Sequence, residues 1–466
     1  MTDMTGLDRR TLLKLGSLLG AGLAVPALAD NATPGTRAPD RRLLIRDATV
    51  LSMDPGIGDL EGADVLIDDG AIKAVGKQLQ GNGATQLDAA GMILIPGLVD
   101  GHWHLWNSLL RSSAPKPGGP PFFKSQLASS KRFTPALTAL GVRLGLAEAI
   151  NAGITTVNSW AHNLRGPAFA QAELQALRDS GLRARLWYGY AQDLPPTAAM
   201  DFKDIERVQA QLRSSDYHRL DLGLAIRGPE RTEASLWQDE FAFAKARHLP
   251  VSTHIAVSRQ MQQKRAVQQL AERGLLTPSV QLVHATHADA DDIRSISISG
   301  ASVCITPLTE MRVGYGLAPV AALHEARIPV SLGIDTLVLS GNANPYMLMQ
   351  TTLNLAIGIT GDEQRMSARD VLHWATQGAA DAMGLGEQIG SISPGKRADL
   401  VLIDSRRLGL FPVADPVASV VQSATPADVD TVIADGRVIK RAGKVLGLDV
   451  AALAAQATAG LRELGQ

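Results

Sequence analysis

The sequence predicts an α/β fold in which a (β/α)8 barrel is joined to a small β domain built from both ends of the chain. Three observations predict it. Apolar β-rich runs alternate with amphipathic helical patterns through the middle of the chain, eight such runs can be counted, and short strand patterns with Asp-Gly turns occur near both ends. A chain of 466 residues has room for both parts.

Residues 1–29 are predicted to be a bacterial twin-arginine signal peptide. Arg9 and Arg10 precede an apolar stretch that is short for a membrane span, and Ala27-Leu28-Ala29 follows as a small-residue cleavage signal. The pattern predicts cleavage after Ala29, export of the folded protein to the periplasm or beyond, and no stable membrane insertion after signal removal. An uncleaved anchor is the alternative.

Residues 30–95 and 386–466 are predicted to form the small β domain, with a helix at the end of the chain. The first part contains the strand patterns "RLLIRDATVLSM", "DVLIDDGAIKAVG" and "MILIP". The second part contains "GSISPGKRADLVLID" and "VDTVIADGRVIKRAGKVL". Both parts alternate apolar and polar residues around tight turns, so we expect them to pair with each other.

Residues 96–385 are predicted to form the barrel. Its eight candidate strands lie around His102 and at 153–160, 183–190, 220–228, 249–257, 279–287, 301–307 and 328–335. Amphipathic segments such as 235–248, 320–327 and 370–384 separate many of them. The chemistry of such a barrel lies at one mouth, where the C-terminal ends of the strands meet.

Histidines and an aspartate mark the ends of several predicted strands. They are His102 and His104 after the first strand, His254 in the fifth, His284 in the sixth and Asp335 after the eighth. Because side chains alternate along a strand, His102 and His104 face the same side, which suggests a shared ligand. We interpret five other histidines as core or surface residues: His162, His218, His248, His324 and His373. Of these, His162 follows the second strand and could line the pocket.

Five motifs occur in one order along the chain: "PGLVDGHWH", "STHIAV", "LVHATH", "LGID" and "GSISPGKRADLVLID". Together they resemble the metal-dependent amidohydrolase superfamily, in the branch that holds cytosine and guanine deaminases and triazine chlorohydrolases. The resemblance implies a distorted (β/α)8 TIM barrel with a small β-sandwich domain from both termini. It also implies one divalent metal ion, with four ligands: His102, His104, His254 and Asp335. Zinc suits this donor set, and iron is compatible with it.

The same resemblance implies the catalytic roles. Asp335 would accept the proton of a water activated by the ion, and His284 would stabilise the oxyanion. Other members of the superfamily hold two metals bridged by a carbamylated lysine on the fourth strand. The segment 220–228 contains no lysine, and Lys203 falls in a predicted helix start, so one metal is predicted. Cys304 is the only cysteine, which excludes a disulfide and a cysteine-based zinc site.

The chain departs from the pattern of the deaminases at Val257. Deaminases of this branch carry a glutamate three residues after the fifth-strand histidine, which moves a proton to a ring nitrogen of the substrate. Glu230 is the candidate substitute, and Glu310 is a weaker one. The alternative for Glu230 is a solvated loop carboxylate paired with Arg227 or Arg231.

Aromatic residues are scarce, at 4%, yet several cluster near the first three strands. Four of them are predicted to bind substrate: Trp103, Trp106, Trp160 and Trp187. Phe122 and Phe123 lie close by in the sequence, and packing between barrel and helices is the alternative role. The segment 112–126 is rich in proline and glycine and is predicted to be a loop over the barrel mouth.

Composition leaves a small molecule as the expected partner. The chain has 45 basic and 46 acidic residues without long runs of either sign, so no nucleic acid partner is predicted. A homo-oligomer is left open. The sequence predicts an exported metal-dependent hydrolase that cleaves a non-peptide C–N bond of a small apolar or aromatic molecule, in an amide, carbamate or cyclic amide. The alternatives are a deaminase or chlorohydrolase of an N-heterocycle, or a catalytically weak metal-binding protein of the same fold.

Overall fold

The structure is a computed structural model that describes residues 42–214 and 217–465. The predicted signal peptide, residues 1–29, lies outside the described residues. In the two described ranges, no helix combines the length and the apolar character needed to cross a membrane. The location of the protein therefore stays a prediction.

Five strands open the described chain: β1 (Arg42–Leu51), β2 (Asp59–Asp68), β3 (Ala71–Gly76), β4 (Thr85–Asp88) and β5 (Met92–Pro96). β1 pairs with β2 in antiparallel fashion and with β4 and β5 in parallel fashion. Their buried apolar side chains, such as Ile45, Val65 and Leu94, form a core separate from that of the barrel.

Eight parallel strands follow: β6 (Leu98–Trp103), β7 (Ile154–Ala161), β8 (Arg183–Tyr188), β9 (Leu220–Ile226), β10 (Val251–Ile255), β11 (Val280–His284), β12 (Ser302–Ile305) and β13 (Val330–Leu332). Each pairs with its neighbour in the sequence, which confirms the eight predicted strands and the barrel. Most are buried along their whole length, because helices cover the outer face and side chains fill the inside.

The barrel closes where its first and last strands meet, and the predicted metal ligands lie at this junction. The His104 N–H donates to the Asp335 carbonyl at 2.6 Å, and the Asp335 N–H donates to the His102 carbonyl at 2.8 Å. Below them, the buried Asp100 carboxylate accepts the Ile334 N–H at 2.7 Å. Closure of the barrel therefore fixes His102 of β6 and His104 directly after it relative to Asp335.

The described residues form sixteen α-helices: α1 (Phe122–Ser130), α2 (Pro135–Ala152), α3 (Pro167–Ser180), α4 (Phe202–Leu212), α5 (Ala234–Arg247), α6 (Arg259–Gln262), α7 (Ala266–Glu272), α8 (Ala290–Ser299), α9 (Pro307–Val313), α10 (Val320–Glu325), α11 (Leu337–Ser340), α12 (Pro345–Thr360), α13 (Ala368–Ala375), α14 (Gln377–Ala382), α15 (Pro416–Gln422) and α16 (Val450–Glu463). The start and end of α2 show how the sequence sets these bounds. The Thr134 hydroxyl accepts the Leu137 N–H at 3.2 Å, and Gly153, at φ 88°, ends the helix directly before β7.

Four strands return at the end of the chain: β14 (Leu400–Asp404), β15 (Val429–Ala434), β16 (Arg437–Arg441) and β17 (Lys444–Val445). β14 pairs with β5 in antiparallel fashion, from Leu400 opposite Pro96 to Asp404 opposite Met92. This pairing joins the first five and the last four described strands in one nine-stranded mixed sheet, as the sequence predicts.

The segment 112–126 differs from its prediction as a loop. It is irregular up to Pro121, but α1 begins at Phe122, so its last five residues are helical. The proline-rich run precedes the helix instead of interrupting it, and a proline at a helix start loses no hydrogen bond.

Candidate active site

The four predicted metal ligands converge at the mouth of the barrel. The Nε2 atom of His102 lies 3.3 Å from that of His104 and 3.2 Å from that of His254. Oδ1 of Asp335 lies 3.5 Å from His102 Nε2 and 3.3 Å from His104 Nε2. All four residues are buried or nearly so.

The three histidine nitrogens lie within 4.8 Å of one another, and Asp335 lies close to two of them, so the set fits a single ion held by the histidines with Asp335 at its side. Zinc with ligands at about 2.0–2.1 Å has tetrahedral ligand atoms about 3.3–3.4 Å apart. Three buried imidazole nitrogens that face one another cannot all be satisfied by donating protons to each other, whereas one cation satisfies every lone pair. The donor set and its spacing therefore fit a divalent metal ion.

The histidines are also in the protonation state that metal binding needs. Burial lowers the pKa of His102, His104 and His254 below its ordinary value, so all three rings are neutral near pH 7. The His104 Nδ1–H donates to the Trp160 carbonyl at 2.9 Å, which leaves its Nε2 lone pair for the ion.

Asp335 and His284 are held in unusual backbone conformations. Their φ angles are 60° and 74°, in the left-handed region that residues other than glycine rarely adopt. Burial acts to raise the pKa of the Asp335 carboxyl, but its hydrogen bond with His102 and its close approach to His104 hold the pKa below its usual value. Backbone strain of this kind is typical of functional positions.

A second buried carboxylate supports His284 from behind. Nδ1 of His284 lies 3.1 Å from Oε1 of Glu310, and the same oxygen accepts the Thr306 N–H at 2.8 Å. The Glu310 side chain is fully buried. Glu310 Oε1 accepts a hydrogen bond from Nδ1–H of His284. The other ring nitrogen, Nε2, is therefore the one that can take part in the reaction.

A cavity of about 340 Å³ opens onto the metal ligands. Phe122, Phe123 and Leu127 form an apolar side of its lining. Among the residues that the structure describes, Asp335 is the only carboxylate that lines it. The predicted loop at the mouth thus contributes to the cavity through the helix at its end.

Neither candidate substitute for the missing glutamate reaches the cavity lining. Glu230 is buried, with Oε1 accepting the Ala256 N–H at 2.7 Å, and burial raises the pKa of its carboxyl. It is therefore not a solvated loop carboxylate, and it is not one of the residues that line the cavity. Val257 is also buried. Glu310 forms a hydrogen bond with Nδ1 of His284 and does not line the cavity.

The structure corrects the prediction that four tryptophans bind substrate. None lines the cavity, and all are almost fully buried: Trp103, Trp106, Trp160 and Trp187. The Trp160 N–H donates to Ser252 Oγ at 3.0 Å inside the barrel. The Trp187 N–H donates to Asn158 Oδ1 at 2.8 Å. The residue type and sequence position of these tryptophans are compatible with substrate binding and with core packing. The packing of the barrel places all four in the core.

His162, which the sequence analysis interprets as a core or surface residue that could line the pocket, does line the cavity. Its ring lies 3.9 Å from that of His104, and it accepts the Trp106 N–H at 3.3 Å on Nδ1. Burial and the neighbouring His102 lower its pKa to about 3. Trp106 therefore acts on the site indirectly, by fixing the tautomer of His162.

Arg231 and Tyr315 line the cavity, but the sequence predicts no functional role for either of them. Arg231 enters the sequence argument only as an alternative partner of Glu230. Arg231 and Tyr315 both follow strands or helices in irregular segments, where no periodic pattern marks an inward-facing position. Lys203 lies in α4 and not on β9, in agreement with the prediction of a single metal.

A parallel barrel with histidines and an aspartate converging at its mouth defines a hydrolase of the metal-dependent type. The model of the amidohydrolase family matches residues 93–439, and the chain belongs to this family.

The chain is similar to curated deaminases over most of its length. It is 29% identical to a 5'-deoxyadenosine deaminase of Methanothermobacter thermautotrophicus, over 83% of this chain and 91% of that protein. It is 29% identical to an 8-oxoguanine deaminase of Pseudomonas aeruginosa, over 84% of this chain and 92% of that protein.

Two solved structures show the same architecture. An adenosine deaminase from Xanthomonas campestris with bound zinc superposes with a TM-score of 0.83 at 25% identity, covering 91% of this chain and 98% of that one. An atrazine chlorohydrolase from Arthrobacter aurescens complexed with zinc has a TM-score of 0.78 at 23% identity, covering 90% and 100%. The second is a likeness of fold.

Proposed function

We propose that the protein hydrolyses a carbonyl C–N bond, in an amide, carbamate or cyclic amide, of a small molecule. One observation carries the proposal: within the described residues, Asp335 is the only carboxylate of the cavity lining. The sequence agrees with it, because Val257 stands three residues after His254, where the resemblance to deaminases implies a glutamate. Displacing an amino group from an aromatic ring needs an acid that protonates a ring nitrogen. A carbonyl carbon makes a smaller demand, because its oxyanion can be stabilised directly.

His102, His104, His254 and Asp335 would hold the metal, one ion in this proposal. When bound, the ion supplies a Lewis acid that polarises the carbonyl and makes water a better nucleophile. Asp335 accepts a proton from the attacking water and returns it to the leaving nitrogen. The neighbouring residues exclude bulk water, because the ligands lie at the buried base of the cavity.

His284 contributes an acid and base pair with Glu310. In the neutral ring, Nδ1–H donates to Glu310 and Nε2 carries the lone pair, so Nε2 can accept a proton. Because the proton of the attacking water goes to Asp335, Nε2 takes its proton from solvent before the attack. The imidazolium is then stabilised by the Glu310 carboxylate and donates a hydrogen bond to the developing oxyanion. This is the division of labour between histidine and carboxylate in hydrolytic triads.

The relatives favour a second candidate, deamination of an amino-substituted N-heterocycle. Its support is the 29% identity to two curated deaminases over more than four fifths of the chain. It requires a proton donor for a ring nitrogen other than the family glutamate.

A substrate screen separates these candidates. Purified protein of measured metal content is incubated with amides, carbamates, lactams, amino-heterocycles and chloro-heterocycles. We expect turnover on the carbonyl compounds. Turnover confined to amino- or chloro-heterocycles contradicts the proposal, and stoichiometric metal without turnover on any class identifies a metal-binding protein.

We also propose export by the twin-arginine route, supported by Arg9, Arg10 and the Ala27–Ala29 signal. Replacing both arginines by lysine should leave the precursor inside the cell. Unchanged export of the variant contradicts the assignment.

A further inference from the structure

Arg231 brings a positive charge to the cavity and forms no ion pair with a described carboxylate, although its charge acts on the neighbouring Glu230. It lies in the segment after β9, is partly buried, and belongs to the cavity lining. Among the described residues, no carboxylate oxygen lies within 4.0 Å of its guanidinium nitrogens. Its nearest acidic neighbour in the sequence, Glu230, binds the Ala256 N–H instead.

The other cavity arginine shows what a structural role looks like. Arg227 donates to the carbonyl oxygens of Leu194, at 3.0 Å, and Pro195, at 2.7 Å, and also to that of Ala198. Its guanidinium also lies over the Tyr190 ring, 5.1 Å from the ring centre. The guanidinium of Arg227 is therefore used to hold the segment 194–198. Among the described residues, Arg231 has no comparable set of hydrogen bonds to backbone carbonyl oxygens.

The surroundings of Arg231 connect it to the reaction site. Burial raises the pKa of the Tyr315 hydroxyl, and the charge of the nearby Arg231 acts against that rise. The Tyr315 ring in turn lies 5.3 Å from the His284 ring. Tyr315 therefore lies near both His284 and Arg231, and all three line the cavity.

The charges of the lining are unbalanced. Two arginines face one carboxylate, Asp335, and a bound divalent ion adds to the positive side. Such a cavity attracts an anion and repels a cation, because low-dielectric walls concentrate the field. The planar fork of a guanidinium matches the two oxygens of a carboxylate.

We propose that Arg231 recognises a carboxylate on the substrate, so that the enzyme acts on small anionic molecules carrying an apolar or aryl group and a hydrolysable C–N bond. The apolar part faces Phe122, Phe123 and Leu127. The volume of about 340 Å³ is at the small end of ligand cavities, about 300–1,000 Å³. This inference rests on the proposed function for the position of the reacting bond, but its charge selectivity can be tested separately.

The test is binding to metal-free protein, because a carboxylate can also ligate a metal. N-benzoylglycine, 3-phenylpropionate and N-acetylphenylalanine are titrated by calorimetry beside their neutral carboxamides and phenyl phosphate. We expect at least one carboxylate to bind about 10–100-fold more tightly than its carboxamide, the range of a charge-assisted hydrogen bond. Equal affinity, or no binding by any carboxylate, overturns the proposal, and tighter binding of phenyl phosphate than of every carboxylate overturns the choice of carboxylate.

Three variants locate the selectivity. Arg231→Met should abolish the preference and Arg231→Lys should keep part of it. Arg312→Met removes an exposed arginine of α9 that does not line the cavity, and it should leave the preference unchanged. A preference that survives in Arg231→Met contradicts the proposal.

The metal-loaded enzyme distinguishes this inference from the proposed function. Equal hydrolysis of carboxylated and neutral amides rejects the role of Arg231 and leaves carbonyl hydrolysis standing. Arg231-dependent binding of carboxylates, together with turnover of amino-heterocycles alone, rejects carbonyl hydrolysis and leaves the anion site standing.

Discussion

The cavity has two walls that the chain builds in different ways. The metal wall comprises residues at the ends of barrel strands: His104, His254, His284 and Asp335. The loop wall comprises residues of α1 and of the segments after β9 and α9: Phe123, Arg231 and Tyr315. The metal wall is fixed by barrel hydrogen bonds, whereas Phe123 is 57% exposed. The comparison indicates that the metal wall sets the chemistry and the loop wall sets the choice of substrate.

The largest effect is expected from the metal ligands. Replacing His102 and His104 by alanine together removes two of the four donors, so metal content and activity should fall to background. Metal analysis and kinetics of the purified variant check this. His248→Asn is the control, because His248 is an exposed residue at the end of α5 with φ 56°, which asparagine tolerates. Full metal content in the double variant contradicts the assignment.

A carboxylate behind the metal wall should act on rate and not on binding. Glu310→Gln keeps the shape and a hydrogen-bond acceptor for His284 but removes the charge that stabilises the imidazolium. We expect kcat to fall about 100-fold or more, with unchanged metal content and little change in KM. Glu173→Gln is the matched control, because Glu173 is equally buried but lies on α3 against Ser159 of β7. Equal losses in both variants would mean that Glu310 has only a structural role.

Glu173 itself should affect the pH dependence of stability. Burial raises its pKa from 4.5 to about 7, and one carboxylate oxygen has no partner. The stability contributed by the neutral form is present below about pH 4.5 and lost as the pH rises through 7. Glu173→Gln stays neutral, so between pH 5 and 8 the wild type should lose roughly 2–3 kcal/mol of unfolding free energy relative to this variant. Denaturant unfolding measures it, with the exposed Glu272→Gln as control, and parallel curves for wild type and Glu173→Gln refute it.

The loop wall should give the smallest effect, and on a different parameter. Tyr315→Phe removes the hydroxyl beside Arg231 while the ring still packs near His284. We expect KM for carboxylated substrates to rise about 3–10-fold with kcat nearly unchanged. Steady-state kinetics tests this. A fall in kcat with constant KM would show that Tyr315 takes part in the reaction step, and it would contradict the separation of roles between the two walls.

The same two walls mark what the sequence could predict. His102, His104, His254, His284 and Asp335 were found because strands have a period of two and because barrel strands end at one mouth. Arg231 and Tyr315 were missed as functional residues because an irregular segment has no period that tells inward from outward.

The aromatic residues show a second limit. Trp160 and Trp187 lie at strand ends like the histidines, but their side chains pack in the protein interior, where each indole N–H finds a partner. A large apolar side chain with one donor suits a core and a pocket equally. For a titratable residue, a buried strand-end position favours a functional role over core packing, because burying a charge without a ligand is costly. For a tryptophan, the same position is compatible with both roles.

The most direct test of the account is the ratio of two activities in two proteins. kcat/KM is measured for a cyclic amide and for an amino-pyrimidine of similar size, with the metal-loaded wild type and with Val257→Glu, which restores the family acid. We expect the wild type to favour the amide by about 100-fold or more and Val257→Glu to shift the ratio toward deamination. Deamination by the wild type at a kcat/KM of about 10⁴ M⁻¹s⁻¹ or higher, with no detectable amide hydrolysis, would contradict it.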